Sequence, residues 1–427
     1  MHTFDLKIDE ISKIEGKGSL FVKVKNNRIT DFKFSITEFK RFYTQAIKGK
    51  DIISIPQLCA RICGTCSNAH LLCAIKAAEN ALGIIPSRQT ILLRQLVNYG
   101  LNIRDHALHL YVFVLPDIFG IDNVLELDEK NPYEHQILHD VFTVKAAGNL
   151  LGKAIGGRSV HAPFLTIGGF IKLPLPSEFD SIIMELEKSR SAVIRLINIF
   201  TKCGFKLERD INYIAMIDES YSFLSGEIHS SNGEKFTEEN FGQYLDHIVI
   251  PYSQASGYKF SGKVHMIGAI ARMNLGKNKL NERTKKDTSD ALELFPSKNI
   301  FHNNLAQAIE ILHAIDSSID ILKVLKIEKE KPPLIIRKKG TGIGVIEAPR
   351  GTLYYKLDVD ENGKVVKGEI VVPTGQNQIG IEKSLYQFFS ENLDKNKKFL
   401  ENEAEKIIRS YDPCMSCASH FLKVQWT

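Results

Sequence analysis

Four of the chain's seven cysteines form two Cys-x-x-Cys pairs, and their type and spacing point most directly to chemistry. Cys63 and Cys66 lie near one end of the 427-residue chain, and Cys414 and Cys417 lie near the other. Two cysteines three residues apart can direct both sulfurs at one centre, and four soft thiolates suit zinc, nickel or iron–sulfur chemistry. The pattern therefore predicts one metal site that joins the two ends of a large domain.

Spacing alone leaves three interpretations of these pairs open. In a structural zinc site the pairs are usually separated by roughly 15–20 residues, whereas these pairs are almost a whole chain apart. A redox or catalytic metal is the second interpretation, and unrelated thiols are the third. Cys59, Cys73 and Cys203 have no partner at metal spacing. We expect them in the core, where a free cysteine behaves as a small hydrophobic residue.

The composition excludes several classes of protein. A hydrophobic fraction of 44% and a charged fraction of 25% are typical of a globular protein. The formal net charge of +5 is small for this length, and no basic stripe stands out, so nucleic acid is not expected as a partner. No apolar run is long enough for a membrane span, and the first residues do not resemble a signal peptide. The expected location is the cytoplasm.

Longer motifs around the cysteines are similar to those of a known family. Arg-Ile-Cys-Gly-Thr-Cys at 61–66 and Asp-Pro-Cys-x-x-Cys-x-x-His at 412–420 resemble the large, catalytic subunit of nickel–iron hydrogenases. Further stretches that look like the family follow in its order: 14–16, 105–109, 168–170, 303–306, 348–351 and 372–374. The short length and the sequences at 106–111 and 303–308 resemble its soluble cytoplasmic branch, with sulfhydrogenase-type and nicotinamide- or deazaflavin-linked enzymes.

The resemblance implies a nickel–iron centre on the four cysteines. Cys63 and Cys414 would be terminal nickel ligands, while Cys66 and Cys417 would also bridge to an iron that carries carbon monoxide and cyanide. The implied activity is the reversible heterolytic cleavage of H2, with electrons passed to another subunit.

The resemblance also assigns roles around that centre. Arg350 would lie over the open side of the metal, where its guanidinium would act as the base in a frustrated pair, and Asp105 and Asp412 would fix it. Glu15 would relay protons towards solvent. Taken alone, Arg350 would be an ordinary internal ion pair and Glu15 a surface glutamate.

Three further residues complete the implied surroundings of the centre. Thr374 and the backbone near Pro349 would surround the cyanide groups, and His70 would support a bridging sulfur. A lone histidine such as His70 is more often a hydrogen-bonded core residue.

A second metal site is implied at His420, where the family binds magnesium or iron together with a glutamate and a backbone carbonyl. The carbonyl would be near Ile370, but Thr44 occupies the position where the glutamate is expected. A hydroxyl is a weaker ligand for a hard dication than a carboxylate. The sequence thus departs from the family pattern at this ion but not at the four cysteines.

Electrons must leave through a partner, because the chain has neither a four-cysteine ferredoxin run nor a Gly-x-Gly-x-x-Gly motif that opens a helix. The resemblance implies an iron–sulfur small subunit, reductase subunits, nickel-insertion proteins and a maturation endopeptidase that removes the tail, 421–427. The competing functions are a zinc protein without turnover, an H2 sensor, and a respiratory quinone-reductase subunit. The intact cysteine set argues against the last of these.

The elements that must position these residues are predicted to be mainly helical, with small sheets (α+β) around a long-helix bundle core. Helices are predicted at 87–114, 132–155, 177–203, 302–326 and 379–410, and β-hairpins are predicted around 26–27 and 360–363. The predicted division of the chain is a β-hairpin region (1–45), a helical body with the first cysteine pair (46–340), a β-region (341–375), C-terminal helices with the second pair (376–420) and the tail (421–427). For residues 205–300 the hydrophobic pattern predicts no clear helices or strands.

Overall fold

The computed structural model describes residues 2–330 and 333–419, and this part of the chain is mainly helical with small sheets. His420 and the tail at 421–427 therefore lie outside the described residues. No helix in the described ranges is long and apolar enough to cross a membrane.

Fifteen α-helices occur in the described ranges. They are α1 (Tyr43–Ala46), α2 (Ile55–Cys59), α3 (Ser67–Leu82), α4 (Arg88–Ala107), α5 (Leu115–Phe119), α6 (Pro132–Gly156), α7 (Phe179–Thr201), α8 (Glu238–Phe241), α9 (Ala269–Gly276), α10 (Glu282–Asp287), α11 (Ser289–Leu292), α12 (His302–Val324), α13 (Pro373–Glu391), α14 (Lys397–Ser410) and α15 (Met415–Ala418). The long members α3, α4, α6, α7 and α12 form the core.

Fourteen strands make five small sheets in the same part of the chain. They are β1 (Phe4–Ile8), β2 (Gly18–Lys25), β3 (Arg28–Ile36), β4 (Leu165–Thr166), β5 (Gly169–Phe170), β6 (Asn212–Ile217), β7 (Glu227–Ser230), β8 (Lys235–Phe236), β9 (Leu245–Ile248), β10 (Gly257–Phe260), β11 (His265–Met266), β12 (Gly340–Ala348), β13 (Gly351–Val359) and β14 (Val365–Val371). The sheet orders are β1-β2-β3, β4-β5, β11-β6-β7-β8, β10-β9 and β12-β13-β14. All pairings are antiparallel except β11 with β6.

Both predicted hairpins are confirmed. Asn26 and Asn27 have φ values of 50° and 60° between β2 and β3, the backbone of a tight hairpin turn in which asparagine is tolerated. Gly363, at φ 75°, lies in the turn between β13 and β14. The first hairpin gains a third strand, β1, which pairs with β2.

The predicted long helices are confirmed at 132–155, 177–203 and 302–326, which correspond to α6, α7 and α12. The helix predicted at 87–114 is α4 followed directly by a π-helical segment, Leu108–Val114. A single helix at 379–410 is wrong, because the chain breaks it into α13 and α14. The side chain of Asn396 accepts a hydrogen bond from the Phe399 N–H and so starts a new helix.

Close packing on strand β12 fixes helix α3, at whose start the first cysteine pair lies. Gly340, Gly342 and Gly344 lie on the strand face that meets α3. A Cβ atom added at Gly342 would lie 1.9 Å from the carbonyl oxygen of Ala77, and one at Gly344 would lie 2.6 Å from that of Cys73. Only glycine permits this approach of strand to helix backbone.

Candidate metal centre

The four cysteines predicted to share a site come together in the fold. Their sulfurs all lie within 4.8 Å of one another, and all four residues are buried. The Sγ–Sγ distances are 3.7 Å for Cys63–Cys414, 3.2 Å for Cys66–Cys417 and 2.9 Å for Cys414–Cys417. One ion with thiolate bonds of about 2.3 Å spans sulfurs at about this separation. The donor set therefore fits a thiophilic metal ion.

The sulfurs of the cluster differ in the direction of their pKa shifts. Since the Cys414 thiol donates to its sulfur, Cys63 has a pKa well below the usual value. Burial raises the pKa of the Cys417 thiol well above it. Four thiolates in this small space need a positive ion to balance their charge.

The first pair is placed by the start of helix α3. Cys66 directly precedes the helix, and its backbone N–H donates to the Cys63 sulfur over 3.3 Å. A helix N-terminus favours negative charge, so this position suits thiolates. Because β12 packs tightly on α3, the pair has a rigid base.

The second pair is held by two other parts of the chain. The Met415 N–H donates to the Glu15 carbonyl oxygen over 2.8 Å, and Glu15 and Cys414 form an isolated parallel bridge. The Cys414 N–H donates to Thr374 Oγ1 over 2.8 Å. Thr374 thus lies against the second pair, and the N-terminal segment contacts that pair through its backbone.

Arg350 is buried between the two predicted carboxylates. Its Nη1 donates to Asp105 Oδ2 over 2.7 Å, and its Nη2 lies 3.1 Å from Asp412 Oδ1. Burial alone would lower the pKa of Arg350, but the charges of Asp105 and Asp412 outweigh it and raise that pKa well above the usual value. The guanidinium is therefore held as a fixed positive charge.

A small enclosed cavity adjoins the sulfurs and collects most of the predicted site residues. Its lining includes Cys66, Cys417, His70, Pro349, Arg350 and Thr374. His70 is buried, its Nδ1 lies 2.8 Å from Tyr355 Oη, and burial lowers its pKa to about 4, so the ring is neutral. The space between the sulfurs and Arg350 has a mixed apolar and hydrogen-bonding lining.

The residues predicted for the second metal are only partly described. Thr44 lies in α1 and Ile370 in β14, and these elements pack together. The Thr44 hydroxyl is buried and has no hydrogen-bond partner among the described residues. His420 lies outside them.

Three residues that spacing does not single out brace this site. Gln307 Nε2 donates to Asp412 Oδ2 over 2.8 Å, and Gln307 Oε1 lies 2.7 Å from His109 Nδ1. Arg272, also buried, donates to the carbonyl oxygens of Ala348 and Pro349 over 3.1 and 3.0 Å. His109 is part of the motif at 105–109 and could have been noticed in the sequence. Arg272 could not, because its contacts to distant backbone carbonyls leave no signal there.

Comparison with known proteins agrees with this geometry. A family model described as nickel-dependent hydrogenase matches residues 41–148 and 208–420. Sulfhydrogenase 1 subunit alpha of Pyrococcus furiosus is 32% identical over 425 residues, which cover 98% of each chain. NAD-reducing hydrogenase HoxS subunit beta of Cupriavidus necator is 27% identical over 98% of this chain and 95% of its own.

The fold is also that of solved hydrogenases. A crystal structure of an NAD+-reducing [NiFe]-hydrogenase superimposes with a TM-score of 0.87 at 22% identity, covering 98% of this chain and all of that one. The relatives and the solved structure span nearly the whole chain, the family model matches more than half of it, and all four cysteines that come together lie inside the matched segments. The chain belongs to the nickel-dependent hydrogenase family.

Proposed function

We propose that this chain is the catalytic subunit of a nickel–iron hydrogenase, which cleaves H2 reversibly and passes the electrons to an iron–sulfur small subunit. The observation that carries the proposal is the meeting of four buried cysteine sulfurs beside a charged, carboxylate-held Arg350. A structural zinc site requires the four sulfurs but does not require a buried guanidinium beside them.

Cys63 and Cys414 would hold nickel at its terminal positions, and Cys66 and Cys417 would bridge to iron. The centre, with cyanide and carbon monoxide on the iron, would supply the heterolytic cleavage of H2. The enclosed cavity lined by His70, Pro349 and Thr374 would surround the iron ligands. Its lining excludes bulk water from the reacting gas.

Arg350 would act as a fixed cation over the open side of the site. Since its raised pKa keeps the guanidinium protonated, it would orient and polarise rather than remove a proton. Asp105 and Asp412 use both of its terminal nitrogens and so fix its plane. Arg272 supports the same loop from the other side, through the carbonyl oxygens of Ala348 and Pro349.

Glu15 would receive protons at the site and hand them towards solvent. Its backbone is tied to Cys414 and Met415, so the side chain is anchored next to the second cysteine pair. His70, neutral and fixed by Tyr355, would support a bridging sulfur.

A Mg2+ or Fe2+ ion near the C-terminal end would use His420 and the carbonyl of Ile370. The Thr44 hydroxyl is buried and has no partner among the described residues, which supports a bound ion or water beside α1 and β14. A water bound by Thr44 would take the place of the carboxylate that the family carries there.

Partner proteins follow from the same resemblance. The relatives are named as subunits of larger hydrogenases, which supports an iron–sulfur small subunit for this chain. Reductase subunits, nickel-insertion proteins, an endopeptidase acting on 421–427 and a cytoplasmic location complete the proposal.

The deciding experiment is an infrared spectrum and metal analysis of the complex from its native host. Metal-bound carbon monoxide and cyanide absorb where no amino acid does, so we expect bands from both, with nickel and iron present. A fully metal-loaded protein with zinc alone and no such bands would overturn the proposal. A protein with the bands but without turnover would identify an H2 sensor.

A further inference from the structure

Helix α4 carries a line of polar side chains along a buried face. They recur every three or four residues, as neighbours on one face of a helix do, and continue just beyond both helix ends. We name this line the polar seam; its members are Ser87, Thr90, Arg94, Asn98, Asn102, Asp105 and His109. The buried face of a helix normally carries apolar residues, so a line of polar ones is unusual.

Unpaired polar atoms are concentrated on the same helix. Of the sixteen buried side-chain nitrogen and oxygen atoms that lack a protein partner in the described residues, eight belong to α4, which has 20 residues. Both amide atoms of Asn98 and both of Asn102 are among them, and these residues are 1% and 0% exposed. Asp105 Oδ1 is another.

Internal water is the physical way to satisfy such atoms. A buried amide without a partner is costly, and native proteins bind ordered water at polar sites of this kind. Asn98 and Asn102 are one helical turn apart, a rise of about 6 Å. One or two waters can therefore bridge their side chains and continue to Asp105, about 4.5 Å further along the axis.

The inner end of the polar seam is the metal centre. Asp105 gives one carboxylate oxygen, Oδ2, to Arg350, and its other oxygen has no protein partner in the described residues. The carboxylate thus has one oxygen available to a water while the other holds the guanidinium.

The outer end of the polar seam approaches the protein surface. The two terminal nitrogens of Arg94 donate to Glu79 over 2.9 and 2.6 Å, so the carboxylate balances the charge of the guanidinium. Beyond this pair, Ser87 Oγ donates to the exposed Glu330 over 2.7 Å and lies 3.1 Å from Thr90 Oγ1. Polar groups therefore extend from the surface to Asp105.

We propose that the polar seam holds a chain of internal water that conducts protons between Asp105 and the surface near Ser87, a second route beside Glu15. This inference rests on the proposed function. Asp105 would take up at Oδ1 a proton released at the proposed centre and pass it to the first water, while the last water releases one to solvent near Ser87. Only O–H bonds break and form, and nothing is oxidised or reduced.

The test uses Asn98→Leu, Asn102→Leu and the double variant in the complete heteromeric enzyme. Leucine has the same branching at Cγ, although it is larger, and removes only atoms that have no protein partner in the described residues; thermal unfolding checks that the fold is kept. In a Glu15→Gln background, where the first route is blocked, we expect the remaining exchange of D2 with solvent protons to fall about tenfold or more in the double variant and its solvent isotope effect to rise. The infrared bands of the centre should not change.

Two controls make the outcome specific. Gln95→Leu removes an amide from α4 away from the seam and should exchange like the wild type. Asn98→Ser and Asn102→Ser keep a hydroxyl and leave room for water, so they should restore exchange. A high-resolution crystal structure should show ordered waters at Asn98 and Asn102 in the wild type and none in the double variant.

The outcomes separate the two proposals. A wild-type complex with no D2 exchange and no infrared bands overturns the proposed function. An active wild type whose Glu15→Gln variant keeps the same residual exchange after the double leucine substitution, or whose amides have no water in the crystal, overturns the water route alone.

Discussion

Arg350 shows how one side chain's role depends on its neighbours' charges. Two carboxylates face a buried guanidinium, so the group cannot lose its proton at any ordinary pH. Gln307 in turn holds Asp412, and Arg272 holds the loop that carries Arg350. What the site requires of residue 350 is a planar cation with several donors.

Arg350→Lys is expected to lower H2 turnover by at least about 100-fold. Lysine keeps the charge but has no planar fork to engage both Asp105 and Asp412, so the cation loses its alignment. Turnover with an artificial dye measures the loss, and the infrared bands of the centre should remain. Arg283→Lys, at an exposed ion pair with Glu187, is the matched control. A variant of Arg350 that keeps full turnover contradicts this role.

His313 is expected to make the protein sensitive to acid. Its Nδ1 accepts from the Asn281 N–H at 3.0 Å and its Nε2 lies 2.9 Å from the Tyr221 carbonyl oxygen, which fits only the neutral ring. Burial lowers its pKa to about 4. As the pH falls from about 6.5 to 4, the unfolded chain takes up a proton that the folded chain does not, so stability falls.

The expected loss from this residue at pH 4 is on the order of 3 kcal/mol. His313→Gln should unfold with a smaller difference in free energy between pH 7 and pH 4 than the wild type. The partly exposed His229 provides the control, His229→Gln. Equal pH dependence of the wild type and His313→Gln would show that His313 does not carry the effect.

At the scale of the single residue, spacing identified the four cysteines as one site, because a Cys-x-x-Cys pair has a chemical meaning of its own. Arg350, Asp105 and Thr374 came from the resemblance, and the structure places Arg350 and Thr374 beside the sulfurs and Asp105 against Arg350. Gln307 was not found, since an amide in a buried helix looks like any other polar residue. Its position becomes informative only once Asp412 lies next to it.

The elements that position the site depend on glycines as much as on hydrophobic periodicity. Helix α3 carries Cys66 at its start, and three alternate glycines of β12 let its backbone pack directly on the strand. The stiffness of the first cysteine pair therefore originates further along the helix, where α3 packs on β12.

Gly342→Ala is expected to destabilise the protein by about 1–3 kcal/mol and to disturb the metal site, because the new methyl group would overlap the Ala77 carbonyl oxygen. Thermal unfolding and nickel content after maturation measure the two effects. Gly204→Ala is the control, since a Cβ atom there meets nothing within 4 Å. Equal stability of both variants would mean that α3 moves away without cost.

Periodicity predicted the long helices, because α6, α7 and α12 each bury a continuous apolar stripe. It did not predict β6–β11, which are short strands of two to six residues. Strands of this length repeat too few positions to give a periodic signal, and β11 pairs with β6 across a long connection. The break between α13 and α14 depends on one capping residue, Asn396.

At the scale of the whole molecule, the metal site links segments that are far apart in the sequence. Cys63 and Cys66 lie just before helix α3, and Cys414 and Cys417 lie near the end of the described chain. Glu15 lies in the first hairpin region. A bound ion would therefore cross-link the chain across almost its full length. Cross-links that close long loops restrict the unfolded chain most.

Removal of the metal is expected to lower the unfolding free energy by on the order of 5 kcal/mol, because a loop of this length is opened. Thermal unfolding of one preparation before and after metal extraction measures the change. Cys417→Ser should destabilise the metal-loaded protein and leave the metal-free protein nearly unchanged. Equal stability of the loaded and extracted wild type would show that the ion does not cross-link the fold.

The bridge between Glu15 and Cys414 also joins two residues that are synthesised at very different times. A ribosome delivers Glu15, Cys63 and Cys66 early, and Cys414 and Cys417 only after almost every other residue has been joined. A nascent chain thus presents half a ligand set for most of its synthesis. The complete centre can therefore be loaded only after Cys417 has been added, and every chain passes through a stage in which only two of the four thiols are present.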